Sequence, residues 1–305
     1  KVALDDVTLA IGGERPTLIA IVGESGSGKT TLTRLLLGFE RPTDGVVRYD
    51  GRDLQGMDAT ARRTFRREVQ AIFQDPFEVF NPFYRVDHPL LTPLARFKVA
   101  RDRADACRRI EAALAMVGLR PGDTLGRYPH QLSGGQRQRV MIARALLLEP
   151  RIIVADEPVS MVDASLRSTI LQTLHTLHTE GGISLVYVTH DLTTAYQIAD
   201  TVVVLYAGRV VEAGRVERVI HDPKHPYTRA LIDAIPSPDP DVSWGLDAVA
   251  TTAVPAAAGW ATGCAYAPRC PSRMAICTAS PPELGAIEAD RSARCLLHQD
   301  PEAAR

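Results

Sequence analysis

The sequence predicts an α/β fold, a largely parallel sheet covered on both faces, and three observations carry that expectation. Short apolar runs rich in β-branched residues alternate with longer helix-compatible stretches, a glycine-rich turn follows the first run, and proline collects toward one end of the chain. The strand-like runs are Leu18–Val22, 151–155, Ser184–Thr189 and 201–205. Between them, 30–39, 103–117 and 136–148 have the spacing of helices. From about 77 to 130 there is no strand run, so a helical insertion is expected there, within a helical subdomain at about 77–148. Nine of the 21 prolines lie between Pro236 and Pro301, opening with Pro236-Ser237-Pro238-Asp239-Pro240, so a compact domain of 1–235 gives way to an extension at 236–305.

Composition bounds the function. The 305 residues are 45% hydrophobic, enough for one large domain with an appendage. Lys and Arg number 35 against 36 Asp and Glu, a net charge of -1, which excludes a partner read through bulk positive charge and leaves no nucleic-acid face. No apolar run approaches the roughly 20 residues that span a bilayer, and the first ten residues lack the apolar core of a secretory signal. A soluble, cytosolic chain is expected.

Gly23-Glu24-Ser25-Gly26-Ser27-Gly28-Lys29-Thr30 fits the phosphate-loop pattern G-x-x-x-x-G-K-[ST], placed after a strand and before a helix as the mechanism requires. Glycines let the backbone curl so that successive N–H groups point at phosphate oxygens, and the helix N-terminus adds a favourable dipole. Lys29 would reach the β and γ phosphates and the Thr30 hydroxyl would hold Mg²⁺. The run 151–155 leads into Asp156 and Glu157, carboxylates at the C-terminal end of a strand, where ligands bind in such sheets. Asp156 would coordinate Mg²⁺; Glu157 would orient and deprotonate the water that attacks the γ phosphate.

Leu132-Ser133-Gly134-Gly135-Gln136, about 20 residues before the Asp-Glu strand, resembles the signature motif of ATP-binding cassette (ABC) proteins. Gln74 in Phe73-Gln74-Asp75-Pro76 resembles the Q-loop glutamine, Ser160-Met161-Val162-Asp163 the D-loop, and His190 in Val188-Thr189-His190-Asp191 the switch histidine. The resemblance covers residues 1 to about 235 and implies a P-loop NTPase cassette: a RecA-like parallel core with a helical insertion and an antiparallel β part. It implies that two cassettes sandwich two ATP molecules, so that Gly23 to Thr30, Gln74, Asp156, Glu157 and His190 of one chain meet Ser133, Gly134, Gly135 and Gln136 of its partner. Gln74 joins Thr30 and Asp156 around Mg²⁺, His190 contacts the γ phosphate, and Asp163 lies at the subunit contact. Ser133 suits an N-cap. In the D-loop, Met161-Val162 replaces the usual Ala-Leu pair but stays apolar. The adenine-stacking aromatic of the family would by spacing precede Lys1, and no residue is assigned to it.

Tyr128-Pro129-His130, His225-Pro226-Tyr227-Thr228-Arg229-Ala230-Leu231 and Gly263-Cys264-Ala265-Tyr266-Ala267-Pro268-Arg269-Cys270-Pro271 resemble the oligopeptide and dipeptide import ATPases. That resemblance implies an ATP-hydrolysing subunit on the cytoplasmic face of the cell (inner) membrane. Its partners would be a second ABC ATPase subunit, copy or paralogue, two transmembrane permease subunits and an external substrate-binding protein. Peptides lead as cargo, with oligosaccharide, nickel and glutathione as alternatives. A soluble cassette ATPase of the repair or translation class would need a coiled-coil insertion or a second cassette, and the sequence has neither.

Four of five cysteines, Cys264, Cys270, Cys277 and Cys295, are spaced C-x5-C-x6-C-x17-C in a chain expected to stay reduced, which favours metal ligation over disulfides. Four soft thiolates suit an iron-sulfur cluster or Zn²⁺. The absence of a C-x2-C pair weakens the zinc ribbon, and the resemblance to importers with a cluster-bearing tail implies [4Fe-4S]. Cys107 reads as a small buried hydrophobe. Asn81-Pro82-Phe83-Tyr84 reads either as part of a groove for a membrane subunit's coupling helix or, residue by residue, as core.

Overall fold

The computed structural model describes residues 2–75, 80–235 and 262–299. Pro76 of the Q-loop segment and the proline-rich run at 236–240 lie outside the described residues. The chain falls into two compact units, one of Lys1–Ala10, Ile19–Leu32 and Thr189–Arg305, the other of Ile11–Leu18 and Thr33–Val188. Among the described residues no helix is long and apolar enough to cross a membrane.

In the first unit, β1 (Leu18–Val22) is buried along its whole length and pairs in parallel with β7 (Thr201–Tyr206), Ile19 opposite Thr201 and Val22 opposite Val204. Each fully buried Leu, Ile or Val here contributes roughly 1.5–3 kcal/mol of transfer free energy. β7 turns back into β8 (Arg209–Arg215) through Ala207 and Gly208, at φ +47° and +86°. Two successive left-handed residues make the turn whose twist matches an antiparallel pair. The order continues β8, β10 (Arg291–Ala293), β9 (Gly285–Glu288), antiparallel throughout. The C-terminal extension therefore adds strands to the set that holds β1. Helices α8 (Leu192–Ile198), α9 (Val216–His221) and α10 (Pro226–Asp233) complete this unit.

Two buried arginines attach the extension. Arg291 donates to Glu212 Oε1 through Nη2 (2.7 Å) and Nε (3.2 Å), both side chains almost fully enclosed. The Glu212 carboxylate also accepts the backbone N–H groups of Lys224 (3.0 Å) and His225 (2.9 Å). Arg294 donates to Val210 O (2.9 Å), Pro282 O (3.3 Å) and Asp6 Oδ2 (2.7 Å). Buried charges survive when paired and hydrogen-bonded, and these are both.

The second unit carries β4 (Val69–Ile72), β5 (Ile152–Asp156) and β6 (Ser184–Thr189), parallel in that order, with Ile72 opposite Ala155 and Asp156 opposite Val188. A short hairpin, β2 (Arg48–Tyr49) with β3 (Arg52–Asp53), precedes α2 (Ala59–Glu68). The expected helical stretch holds α3 (Asp87–Phe97), α4 (Arg103–Met116), a single turn α5 (Pro121–Thr124) and α6 (Gly134–Leu146), with α3, α4 and α6 packed together. α7 (Ala164–Thr179) follows β5, and α1 (Lys29–Leu36) links the two units along the chain.

Two sequence expectations change. Cys107 is exposed: α4 buries Ala106, Ile110, Ala113 and Leu114, a stripe at helical spacing that Cys107 misses by one position. Phe83 and Tyr84 are not core; Phe83 is 85% exposed and Tyr84 50%.

Candidate functional site

The phosphate loop lies in the first unit, between buried β1 and α1. Gly23 admits no side chain, because a Cβ there would lie 2.3 Å from Leu205 O and 2.7 Å from Ser27 Oγ. Gly26 and Gly28 take φ +80° and +106°, which glycine adopts without strain. Lys29 is buried, its Nζ donating to Gly23 O (2.6 Å) and Glu24 O (3.0 Å), while Ser27 N–H donates to Glu24 O (3.1 Å). Thr30 is exposed on the first turn of α1, and Ser25 and Gly26 are exposed at the loop's crest. The β7–β8 turn supports the loop from below, Gly208 N–H donating to Ser27 O (2.9 Å). His190 follows the last residue of β6 and is exposed; Asp191 beside it caps α8 by accepting from Thr193 N–H (2.8 Å).

Two further contacts reach the loop from sequence far away. Glu24 N–H donates to the Tyr227 hydroxyl (2.9 Å), and the Glu24 carboxylate receives both Nη1 and Nη2 of Arg269 (3.0 Å each). The carboxylate beside Arg269 holds its guanidinium even more firmly protonated than usual. The family resemblance marks the segments around Tyr227 and Arg269 but connects neither to the phosphate loop. Nothing in their spacing points to Glu24.

The second unit gathers the other residues at the C-terminal ends of β4 and β5. β5 ends on Asp156, and Glu157 follows at φ +44°, a left-handed conformation costly for a residue with a side chain. It is held by its N–H to Val188 O (2.8 Å) and by Ser160 Oγ donating to its carbonyl (2.9 Å). Gln74, two residues past β4, donates from Nε2 to Glu157 Oε2 (2.9 Å). Ser133 caps α6: its Oγ accepts Gln136 N–H (3.2 Å) and Gln136 Oε1 accepts Ser133 N–H (2.9 Å), the reciprocal capping box. A Cβ on Gly135 would sit 2.6 Å from Leu166 Cδ1, and one on Gly134 would sit 3.4 Å from Met161 O, so both glycines lie against the segment that carries Asp163. Asp163 is exposed at the start of α7. Buried Gln138 on α6 donates to Phe73 O (3.3 Å), tying the signature helix to the backbone beside Gln74; no sequence motif announces that bond.

Of the four clustered cysteines, two are joined through the backbone. Cys264 N–H donates to Cys277 O (2.8 Å), Cys277 and Cys295 are buried, and Cys264 and Cys270 are half-buried. Burial pushes the Cys264 and Cys270 thiols up and that of Cys295 to about 11, and the other three thiols raise Cys295 further. The donor set suits a soft metal that stabilises thiolate. Among the described residues, however, no three Cys, His, Asp or Glu side chains are arranged to hold a metal ion, so the geometry does not close around a cluster or a zinc.

The ABC transporter family matches residues 4–160. The chain belongs to the ABC transporter family. The C-terminal region of oligopeptide/dipeptide transporters matches residues 211–277 of this ABC ATPase. The oligopeptide transport ATP-binding protein OppF of Salmonella typhimurium is 41% identical over 283 residues, 92% of this chain and 84% of that protein. The putative oligopeptide transport ATP-binding protein YkfD of Bacillus subtilis is 37% identical over 301 residues, covering 98% and 91%. Among solved structures, the ATP-binding cassette MJ0796 in a dimeric post-hydrolysis state bound to ADP and Pi matches with TM-score 0.64 and 31% identity, over 70% of this chain and 90% of that one. As an ABC ATPase the chain uses ATP with Mg²⁺.

Proposed function

We propose that this ABC ATPase powers uptake of oligopeptides or dipeptides as a peripheral subunit on the cytoplasmic face of the membrane. The observation that carries the reading is the match of residues 211–277 to the C-terminal region of oligopeptide/dipeptide transporters, together with relatives named for peptide transport along more than nine-tenths of the chain. Its partners are two transmembrane permease subunits, a second ABC ATPase, copy or paralogue, and an external substrate-binding protein. Exposed Phe83 and Tyr84 at the edge of the helical group supply an apolar surface for a permease helix. Residues 1–235 form the cassette and 236–305 the peptide-importer extension.

In this reading Lys29 and the loop Gly23–Thr30 hold the phosphates, and Thr30, Asp156 and Gln74 hold Mg²⁺. Glu157 draws a proton from the attacking water and His190 stabilises charge developing on the γ phosphate. Ser133, Gly134, Gly135 and Gln136 serve the nucleotide of the partner cassette, with Asp163 at the contact between the two. The left-handed backbone of Glu157 and its bond to Gln74 support a carboxylate held for a task rather than solvated at random. Cys264, Cys270, Cys277 and Cys295 have the donor chemistry of a metal centre, [4Fe-4S] before zinc, but their arrangement does not fit one, and no step of ATP hydrolysis passes through such a centre.

In cells that depend on this chain for growth on peptides, Glu157→Gln is expected to abolish uptake of a labelled tripeptide. Unchanged peptide uptake, with loss of nickel, glutathione or oligosaccharide uptake instead, would reassign the cargo.

A further inference from the structure

Glu24 places a carboxylate in an anion-binding loop, where it repels the phosphates the loop gathers. Three of its groups are engaged from within one unit. Its N–H goes to the Tyr227 hydroxyl, its carbonyl receives Lys29 Nζ, and its carboxylate is forked by Arg269. The two distant partners are themselves fixed. Tyr227 is fully buried at the start of α10, its N–H on His225 Nδ1 (3.0 Å), and His225 N–H rests on the buried Glu212 carboxylate. Arg269 lies over the Tyr266 ring (5.7 Å to its centre), and Tyr266 packs edge-on against Tyr206 (5.3 Å) and Tyr227 (5.5 Å). A tight turn carries Tyr266 and Arg269, with Ala267 N–H on Cys264 O (3.0 Å) and Cys270 N–H on Ala267 O (3.4 Å). Cys264 and Cys270 thus bracket the turn that grips the phosphate loop.

We propose that Arg269 and Tyr227 are positioning residues for nucleotide binding: the C-terminal extension neutralises and fixes Glu24, and so forms a working part of the phosphate site rather than a separate appendage. The inference rests on the reading of Gly23–Thr30 as the nucleotide loop. It follows from two physical points. A carboxylate forked by a guanidinium no longer opposes an incoming polyanion, and a bidentate pair restricts geometry as well as charge. A loop whose second residue is pinned at N–H, carbonyl and carboxylate also loses less freedom when it closes on phosphate.

The test is a double-mutant cycle in the full chain, read as MgATP affinity by calorimetry with thermal melting alongside. Arg269→Gln is expected to weaken MgATP binding about 3- to 10-fold, a range set by screening of a partly exposed pair. Arg269→Lys, which keeps the charge but loses the bidentate fork, is expected to bind MgATP more tightly than Arg269→Gln and more weakly than wild type. In a Glu24→Gln background, where no carboxylate needs neutralising, Arg269→Gln shifts affinity by less than about twofold. Tyr227→Phe, which keeps the ring stack and removes only the acceptor, weakens binding in the same direction. A role confined to holding the extension together would lower the melting temperature equally in both backgrounds and leave affinity alone. Equal affinity of Arg269→Gln and wild type, or equal losses in both backgrounds, overturns the proposal. Lys29→Ala separates this from failure of the underlying reading: if it binds MgATP as wild type does, the loop is not the nucleotide site at all.

Discussion

Replacing Arg291 by Met removes the cation from a buried pair while keeping most of the side-chain volume. Arg291 is 1% exposed and Glu212 fully enclosed, so the abandoned carboxylate has no water to turn to. Breaking a buried pair from one side costs about 3–5 kcal/mol. Glu212 keeps two backbone donors, the N–H groups of Lys224 at 3.0 Å and His225 at 2.9 Å, which places the expected loss at the low end, about 3 kcal/mol. Because the chain has two units, a single unfolding free energy is not the right readout. Amide hydrogen exchange of the segment spanning β9 and β10 is, since those amides open locally. A loss of about 3 kcal/mol corresponds to a rise of about 150-fold in their exchange rate. Exchange in β4 and β5, which belong to the other unit, is expected to stay within about twofold. A rise below about fivefold at β10, or a uniform rise along the chain, would refute the argument that this pair anchors the extension to β8.

Two other perturbations follow from contacts already described. Gly23→Ala drives a Cβ to 2.3 Å from Leu205 O, backbone that cannot yield easily; overpacking of about 2 kcal/mol is expected to weaken MgATP binding about 30-fold, and a Kd within threefold of wild type would contradict the packing argument. His225 is held neutral, with burial and then the charge of His298 lowering its pKa from 6.5 to about 3. The folded chain binds fewer protons at this site than the unfolded chain between those limits, so this contribution to stability falls as pH drops below 6.5, by at most about 1.4 kcal/mol per pH unit. His225→Asn keeps a side-chain acceptor for Tyr227 N–H and removes the titration, so melting temperature between pH 6.5 and 5 is expected to fall less steeply than in wild type; identical slopes would show that His225 is not the group responsible.

Much of the fold was legible because strong, local signals dictate it. The run at β1 is apolar throughout and every residue of it is buried, and the strand at β5 differs from the sequence expectation by one position. Ser133 and Gln136 have the chemistry of a capping box and form one. The extension was illegible for the opposite reason. β9 and β10 have only four and three residues, and β10 turns a buried arginine inward, so neither alternation nor apolar content marks them. Cys107 misled because a small thiol is usually buried, whereas its position relative to Ala106 and Ile110 decided the matter. Of the site, the meeting of Gln74 with Glu157 is implied by the family motifs. The grip of Tyr227 and Arg269 on Glu24 depends on pairings across more than 200 residues, which no local pattern encodes.

Hydrolysis of ATP with Glu157 as the base is the step on which the proposed function depends. The most direct measurement is phosphate release by the full chain assembled with its membrane partners, wild type against Glu157→Gln, with MgATP binding measured on the same samples. The variant is expected to bind MgATP about as tightly as wild type while turnover falls at least about 100-fold, the scale of a lost general base. Near-normal phosphate release from Glu157→Gln would contradict it.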